Sequence, residues 1–284
     1  MNTSHAVLFE EHCFLGAQFE TDEAGYEHVA SYPFASQAEF SSGHAFLMDM
    51  DGYEFSYVHG PAATSFISCA SASPLPAISQ LAPAALLSGT GSLLSLPFIA
   101  RTQADEYLVF DYSPRAATTF SWLSFVRAIE DRGTKVFADV TSERSIEDLV
   151  PLALVGEAAG TIIQDYLAAD EELCKPGSIA SYSFDGSIPV LVFSFDASAY
   201  LLLVPSARVR ILWRSLLSHT ELSPKEPGYF NHVLARAYPL LAHLSKADPE
   251  AELSTSPQLS STQLKHAGLI RQDTNFIGAR ALVQ

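Results

Sequence analysis

Hydrophobic residues recur along this chain with two spacings, and each spacing predicts a different kind of element. Apolar residues three and four positions apart predict helices at 5–16, 36–44, 61–67, 114–126, 156–167, 205–216 and 230–244. Short apolar runs bounded by turn residues predict strands at 46–50, 53–58, 92–100, 107–111, 135–140, 150–155, 179–184, 188–195 and 200–204. Trp122 and Trp213 lie on the apolar faces of their helices, so we expect both side chains to be buried.

The residues between these runs suggest how the strands connect. Asp51-Gly52 predicts a hairpin between the first two strands, and the polar residues 103–106 predict a second hairpin. Hairpins interspersed with helices favour an α+β fold with antiparallel or mixed sheets over a doubly wound parallel sheet. Both halves run in the order strand, glycine-led helix, strands, proline-led helix, which suggests an internal duplication that sequence identity does not establish. Residues 245–263 are rich in Ser, Pro, Glu and Thr and predict an exposed loop.

The net charge of the chain disfavours some classes of binding partner. The 284 residues carry 16 Lys and Arg against 32 Asp and Glu, a formal net charge of −16. Such a surface repels phosphate, which disfavours a nucleic acid or an anionic membrane as a partner. The N-terminal segment has no basic region typical of a signal peptide, and the apolar runs are too short to span a bilayer. Together with three scattered cysteines, these features predict a soluble cytoplasmic protein.

No metal-binding pattern is visible. The nine histidines are dispersed without an HExxH or HxH spacing, and the three cysteines form no CxxC pair. We therefore expect no metal site, and we expect the histidines to lie on the surface or to be bonded to protein partners.

Several short segments together resemble one known family. Residues 60–66, GPAATSF, resemble its G-P-D-A-x-x-F, and residues 152–159, LALVGEAA, resemble its A-L-Q-G-P-x-A. Residues 275–282, NFIGARAL, resemble D-F-I-G-R-E-A-L. Further matches lie at residues 5–19, 25–32, 49–52 and 105–109. The family is that of the glycine-cleavage T-protein, an aminomethyltransferase, and the order and spacing of the segments carry the resemblance.

The resemblance implies a fold and a ligand. It implies two interleaved α+β subdomains around a central cavity that binds tetrahydrofolate, here within residues 1–244. Residues 245–284 would then be an exposed loop and the terminal FIGARAL segment. The chain ends at Gln284, so the family's C-terminal barrel is expected to be absent. Relatives linked to iron–sulfur maintenance carry a cysteine in the terminal segment, whereas this chain has none there and sides with the T-protein branch.

The chain departs from the family at the chemically important positions. Ser95 and Leu96 stand where the family carries an acidic pair that includes the catalytic aspartate. A carboxylate there manages protons and stabilises cationic charge, which serine and leucine cannot do. The family's second pterin-binding acid has no counterpart, although Asp196 lies in the corresponding segment. The helix that carries the family's Leu-Arg-Leu-Glu motif corresponds to residues 232–239, where the motif's Arg and Glu are replaced.

Four residues remain as candidate ligand contacts: Asp111, Tyr112, Asp196 and Arg236. Asp111 lies at or next to the family's pterin-contacting asparagine, or it is a strand-end residue that caps the following helix. Asp196 is either a replacement acid or a turn residue. Three functions stay open: weak binding of tetrahydrofolate or a folate derivative with lost or altered one-carbon transfer, transfer by unconventional residues, and a non-enzymatic subunit or scaffold that contacts a protein partner.

Overall fold

A computed structural model describes residues 7–21, 27–33, 43–144, 148–245 and 259–282. The chain divides into two compact units. Unit 1 comprises Met1–Tyr53 and Ile146–Leu234, and unit 2 comprises Glu54–Ser145 and Ala235–Gln284. Each unit therefore combines two stretches that are far apart in the sequence.

The helices of the described residues are mostly short. They are α1 (Phe9–Phe14), α2 (Ala63–Ala70), α3 (Ala116–Arg127), α4 (Ala159–Gln164), α5 (Ser206–Leu216), α6 (Gly228–Ala237), α7 (Leu241–Ser245) and α8 (Ser261–His266). A 3-10 turn follows at Ala279–Leu282. In the part of the chain that the structure describes, no helix has the length and apolar character needed to cross a membrane.

The strands of the described residues are β1 (Gln18–Thr21), β2 (Glu27–Ser31), β3 (Ala45–Asp49), β4 (Phe55–His59), β5 (Gln80–Pro83), β6 (Leu86–Leu87), β7 (Leu93–Ser95), β8 (Phe98–Gln103), β9 (Glu106–Phe110), β10 (Glu130–Asp131), β11 (Thr134–Lys135), β12 (Thr141–Arg144), β13 (Leu149–Gly156), β14 (Ser178–Phe184), β15 (Ile188–Asp196), β16 (Ala199–Pro205) and β17 (Leu222–Pro224). Helices and strands are thus interspersed along the whole chain, as in an α+β fold.

Six of the strands in unit 1 pair in the order β14, β15, β16, β13, β3 and β17, and β1 and β2 pair separately. All these pairs are antiparallel except β17 with β3, so the sheet is mixed. Helices α4 and α5 contribute their apolar faces to a core with the sheet, as the helical spacing of their apolar residues dictates. Its largest members include Leu154, Ile163, Tyr166, Phe184, Leu202, Leu212 and Trp213.

Five of the strands in unit 2 pair antiparallel in the order β12, β4, β9, β8 and β5, and β6–β7 and β10–β11 form two separate pairs. Helices α2 and α3 contribute to its core through Phe66, Ile67, Phe120, Leu123 and Val126. The C-terminal segment belongs to the same unit, since the backbone N–H of Ile277 donates to the carbonyl of Cys69. Arg271 donates to the carbonyl of Ser68 at 2.7 Å and fixes this segment on α2.

The α+β class with mixed sheets is confirmed, and two sets of predicted neighbouring strands are connected as expected. Strands β14, β15 and β16 form a continuous antiparallel meander. The polar turn predicted at 103–106 joins β8 to β9 as a hairpin. Trp213 is buried as expected, but Trp122 is only partly buried, with its indole N–H donating to the carbonyl of Ala70 at 3.0 Å.

The hairpin predicted at Asp51-Gly52 is wrong. Strand β3 pairs with β13 and β17, and β4 pairs with β9 and β12, so both edges of each strand are occupied by other partners. An Asp-Gly turn permits a hairpin but does not enforce it when both flanking strands have better long-range partners.

Other differences have local causes. The strand predicted at 135–140 is wrong, because β11 ends at Lys135 and both Phe137 and Val140 insert into the unit 2 core from a turn. The helix predicted at 230–244 is divided into α6 and α7 around Pro239, which cannot donate a helical hydrogen bond. The helix predicted at 36–44 falls largely outside the described residues.

The predicted loop at 245–263 contains the start of a helix. Residues 246–258 lie outside the described part, but Ser261 begins α8. Ser260 and Gln263 form a reciprocal capping box at its start. The S-x-x-Q spacing of such a box is a sequence signal for a helix N-terminus that composition alone concealed.

Candidate functional site

Asp111 directly follows β9 and is 2% exposed. Its Oδ2 accepts hydrogen bonds from Ser95 Oγ at 2.6 Å and from Thr119 Oγ1 at 2.5 Å. Its Oδ1 accepts from the backbone N–H of Ser113 at 2.9 Å and from Ser113 Oγ at 2.6 Å. A carboxylate offers about four acceptor positions, so four donors occupy the whole capacity of this group.

These bonds join three elements of unit 2 through one buried charge. Ser95 ends β7, Thr119 lies in the first turns of α3, and Ser113 lies in the turn between β9 and α3. Ser113 Oγ in turn accepts from the backbone N–H of Arg115 at 3.1 Å, just before α3. Asp111 therefore supports the start of α3 through Ser113 rather than by capping it directly.

A substitution at Asp111 tests this supporting role. We expect Asp111→Asn to lower the free energy of unfolding by about 1–3 kcal/mol, because two charge-assisted bonds are lost and an amide donor then faces two hydroxyl groups. The measurement is a denaturant titration followed by circular dichroism. The exposed Asp165 provides the matched control, since Asp165→Asn removes a charge without a buried network. An unchanged midpoint for Asp111→Asn would contradict the role.

The neighbours of Asp111 lie in apolar surroundings. Tyr112 is 7% exposed, and its ring stacks on Phe110 with a centroid distance of 6.2 Å. Leu96, which follows Ser95, is 2% exposed. It lines an open cavity of about 190 Å³ whose other lining residues, all of unit 2, are apolar and include Tyr238 and Leu269. Ser95 and Leu96, the pair at which the resemblance predicts acidic residues, are thus one hydroxyl bound to Asp111 and one hydrocarbon.

Asp196 is differently placed, at the end of β15 in unit 1. It is partly buried, and its Oδ1 accepts from the backbone N–H of Ser198 at 2.7 Å and from Ser198 Oγ at 3.0 Å. Asp111 and Asp196 therefore make the same local Asp-x-Ser turn. They differ at the second oxygen, because Oδ2 of Asp196 accepts no hydrogen bond from any residue that the structure describes.

Arg236 lies in the last turn of α6 and is exposed. It is not among the residues that line the cavity beside Leu96. Asp111, Tyr112 and Arg236 all belong to unit 2, whereas Asp196 belongs to unit 1.

Sequence reasoning missed a buried polar network in unit 1. His12, which is 2% exposed, lies between Asp49 and Tyr32. Its Nε2 is 2.8 Å from Asp49 Oδ2, and its Nδ1 is 2.9 Å from the Tyr32 hydroxyl. Burial, and then the charges of Asp49 and Glu226, raises the pKa of Tyr32, so the phenol keeps its proton. The Tyr32 hydroxyl can then donate to Nδ1 while Nε2–H donates to Asp49.

The network could be found only in part from the sequence. Leu8, His12 and Leu15 are spaced four and three apart and share a helical face, which is a signal for a buried histidine. Its partners lie 20 and 37 residues away, beyond the reach of any local pattern. On the same helix, hydrogen bonds from Arg214 hold the pKa of Glu11 below its usual range.

No group of three or more His, Cys, Asp or Glu side chains within the described ranges is arranged to hold a metal ion. The acidic side chains considered above are engaged by hydroxyl, backbone amide, imidazole and guanidinium groups.

The chain has a T-protein-like α+β fold. It consists of two units, one with a mixed sheet and one with antiparallel strands. The structure of glycine cleavage system aminomethyltransferase T from Bartonella henselae matches with a TM-score of 0.75 and 20% sequence identity. The match covers 99% of this chain and 74% of that chain. The predicted resemblance in fold is therefore confirmed.

A second solved structure, heterotetrameric sarcosine oxidase from Corynebacterium sp. U-96 in complex with pyrrole 2-carboxylate, matches with a TM-score of 0.44 and 15% identity. That match covers 86% of this chain and 98% of that chain, and the fold assignment rests on the first match alone. No protein-family model matches the sequence. A search of curated proteins gives no match either.

Proposed function

We propose that this chain is a T-protein-like folate-binding domain protein whose tetrahydrofolate-dependent one-carbon transfer is lost or altered. The fold of aminomethyltransferase T, matched over 99% of the chain, supports the ligand class. The observation that carries the loss of transfer is the state of the replaced acidic pair. Ser95 is hydrogen-bonded to Asp111, and Leu96 lies against hydrocarbon.

This arrangement is unsuited to proton transfer. The nearest carboxylate to Ser95 is Asp111, and all four of its acceptor positions are already filled by protein donors. A group that manages protons at an attacking nitrogen needs an oxygen within hydrogen-bond reach of the substrate. Asp111 could supply one only by giving up bonds that hold β7 and α3.

Asp196 is the better candidate for a ligand contact. One of its oxygens holds the turn, and the other accepts nothing from the described residues. A partly buried carboxylate with one available oxygen can accept a hydrogen bond from an N–H edge such as that of a pterin. Losing two family contacts to charged groups, at about 1.5–3 kcal/mol each, would weaken binding roughly a hundredfold to more than ten-thousandfold, and we therefore expect weak folate binding.

Calorimetric titration with 5-methyltetrahydrofolate tests the binding. We expect the wild type to bind near or beyond about millimolar concentration, and we expect Asp196→Ala to lower the affinity by about tenfold to a hundredfold further. Asp165→Ala, at an exposed position of the same unit, should leave the affinity unchanged. Tight binding that survives Asp196→Ala would contradict this assignment of the contact.

A transfer assay tests the loss of chemistry. With an aminomethyl group on a lipoyl carrier and tetrahydrofolate as acceptor, we expect no turnover at enzymatic rates of about 1 per second or more. Turnover at such rates would overturn the proposal and favour transfer by unconventional residues.

The alternative is a non-enzymatic subunit or scaffold that keeps the fold for contacts with a protein partner. The saturation of Asp111 and the apolar surroundings of Leu96 favour it, because both act within the fold rather than towards a polar ligand. Absence of any ligand-observed NMR signal with reduced folates at their solubility limit would select this alternative, because that measurement detects binding weaker than millimolar. A cytoplasmic location is part of either proposal and is supported by the three free cysteines, Cys13, Cys69 and Cys174.

A further inference from the structure

The cavity beside Leu96 is built from four separate parts of unit 2. It has a volume of about 190 Å³. The residues that line it are Pro83, Leu96, Ala237, Tyr238, Pro239, Leu240, Leu241, Ala267 and Leu269. They come from β5, from the link between β7 and β8, from the α6–α7 region and from the residues after α8.

The lining has one chemical character. None of the lining residues carries a charge, and Leu96, Leu241 and Leu269 are each less than a tenth exposed. The one aromatic wall is Tyr238, whose ring meets Phe98 edge to face with centroids 4.9 Å apart. Such a contact restrains the ring and gives the cavity a firm flat surface.

We propose that this cavity binds a small neutral aromatic ring. A sealed engineered cavity of about 150 Å³ in another protein, lined by Leu, Ile and Phe, binds benzene, and this open cavity of about 190 Å³ has room for one substituted ring. A ring would remove apolar lining surface from water and could pack against Tyr238. A charged ring would lose its hydration without gaining a partner here. This binding goes beyond the proposed function, because it does not require a folate.

Three ligands that share one ring separate the chemistry. Toluene is neutral, benzoate is anionic and benzylamine is cationic at neutral pH. We expect toluene to raise the melting temperature of the wild type in a concentration-dependent way, since a ligand that binds only the folded state must do so. We expect benzoate and benzylamine to bind at least about tenfold more weakly, because the cavity offers them no counter-charge. Ligand-observed NMR with saturation transfer gives an independent readout.

A rim substitution locates the binding. Ala267 is exposed and lines the cavity, so Ala267→Phe should fill the space from its edge without disturbing the buried leucines. Ala117 is exposed on α3 outside the cavity, and Ala117→Phe is the matched control. We expect Ala267→Phe to abolish the toluene effect and Ala117→Phe to keep it, with both variants folded by circular dichroism.

If Ala267→Phe fails to fold, Leu96→Ala provides a second test. The enlarged cavity of Leu96→Ala should accept naphthalene, and the wild type should bind naphthalene at least about tenfold more weakly than this variant. Three results would overturn the proposal: no toluene effect in the wild type at millimolar concentration, an equal effect in folded Ala267→Phe, or equal binding of the charged rings. The folate proposal does not involve this cavity, so Ala267→Phe should bind 5-methyltetrahydrofolate as the wild type does. Loss of the toluene effect with unchanged folate binding therefore separates the two proposals.

Discussion

Replacing Trp213 with alanine is expected to lower the free energy of unfolding by about 3–5 kcal/mol. The side chain is 1% exposed and belongs to the core that α5 makes with the sheet of unit 1. Its ring also meets His12 edge to face, with centroids 5.2 Å apart. Truncation would therefore leave a cavity beside the network of His12, Asp49 and Tyr32. The measurement is a chemical denaturation curve followed by circular dichroism.

Two further variants separate the causes of this loss. The indole N–H of Trp213 is buried and has no hydrogen-bond partner among the described residues. Trp213→Phe removes this donor and keeps most of the volume, so we expect a loss of only about 1–2 kcal/mol. Trp122→Ala is the control at a partly buried site, and we expect it to lower the free energy by about 1–3 kcal/mol. Equal losses for Trp213→Ala and Trp122→Ala would contradict the placement of Trp213 in the core.

The parts of the fold that local sequence specifies were the parts that could be predicted. Strands β14 to β16 follow one another through short turns, so alternation and turn residues suffice to order them. Strand β3 pairs with β13, which lies about a hundred positions further along the chain, and with β17, which lies further along still. No local signal selects such partners, and the Asp51-Gly52 turn pointed to the wrong one. The two units are discontinuous for the same reason.

The candidate site shows the same division. The presence of Ser95 and Leu96 where the resemblance predicts an acidic pair can be read from the sequence, because it depends only on residue type. The sequence does not show that every acceptor position of Asp111 is filled. Its donors Ser95 and Thr119 come from other elements and become partners only through folding. The difference between Asp111 and Asp196 also appears only in the structure. Both begin the same Asp-x-Ser turn, and packing alone decides which oxygen stays available.

Gly156 is expected to be the most sensitive glycine in unit 1, with a loss of about 2–6 kcal/mol for Gly156→Ala. It ends β13 with a φ of 124°, a conformation that costs other residues about 1–3 kcal/mol. A Cβ there would collide with the carbonyl oxygen of His44 and lie 2.7 Å from Ala45 Cα. Because both atoms are backbone and Ala45 pairs with Gly156, relief would require β3 to move, at about 1–3 kcal/mol more.

Two other glycines separate strain from collision. Gly186 has a φ of 64° with open space around it, so Gly186→Ala should show the strain alone, about 1–2 kcal/mol. Gly89 has neither a positive φ nor a close neighbour, and Gly89→Ala should be nearly neutral. The backbone N–H of Gly156 also donates to the carbonyl of Ser198, beside Asp196. If the chain binds folate as proposed, Gly156→Ala should weaken that binding as well as stability, whereas Gly186→Ala should affect stability only. A denaturation midpoint for Gly156→Ala equal to that of Gly186→Ala would refute the predicted collision.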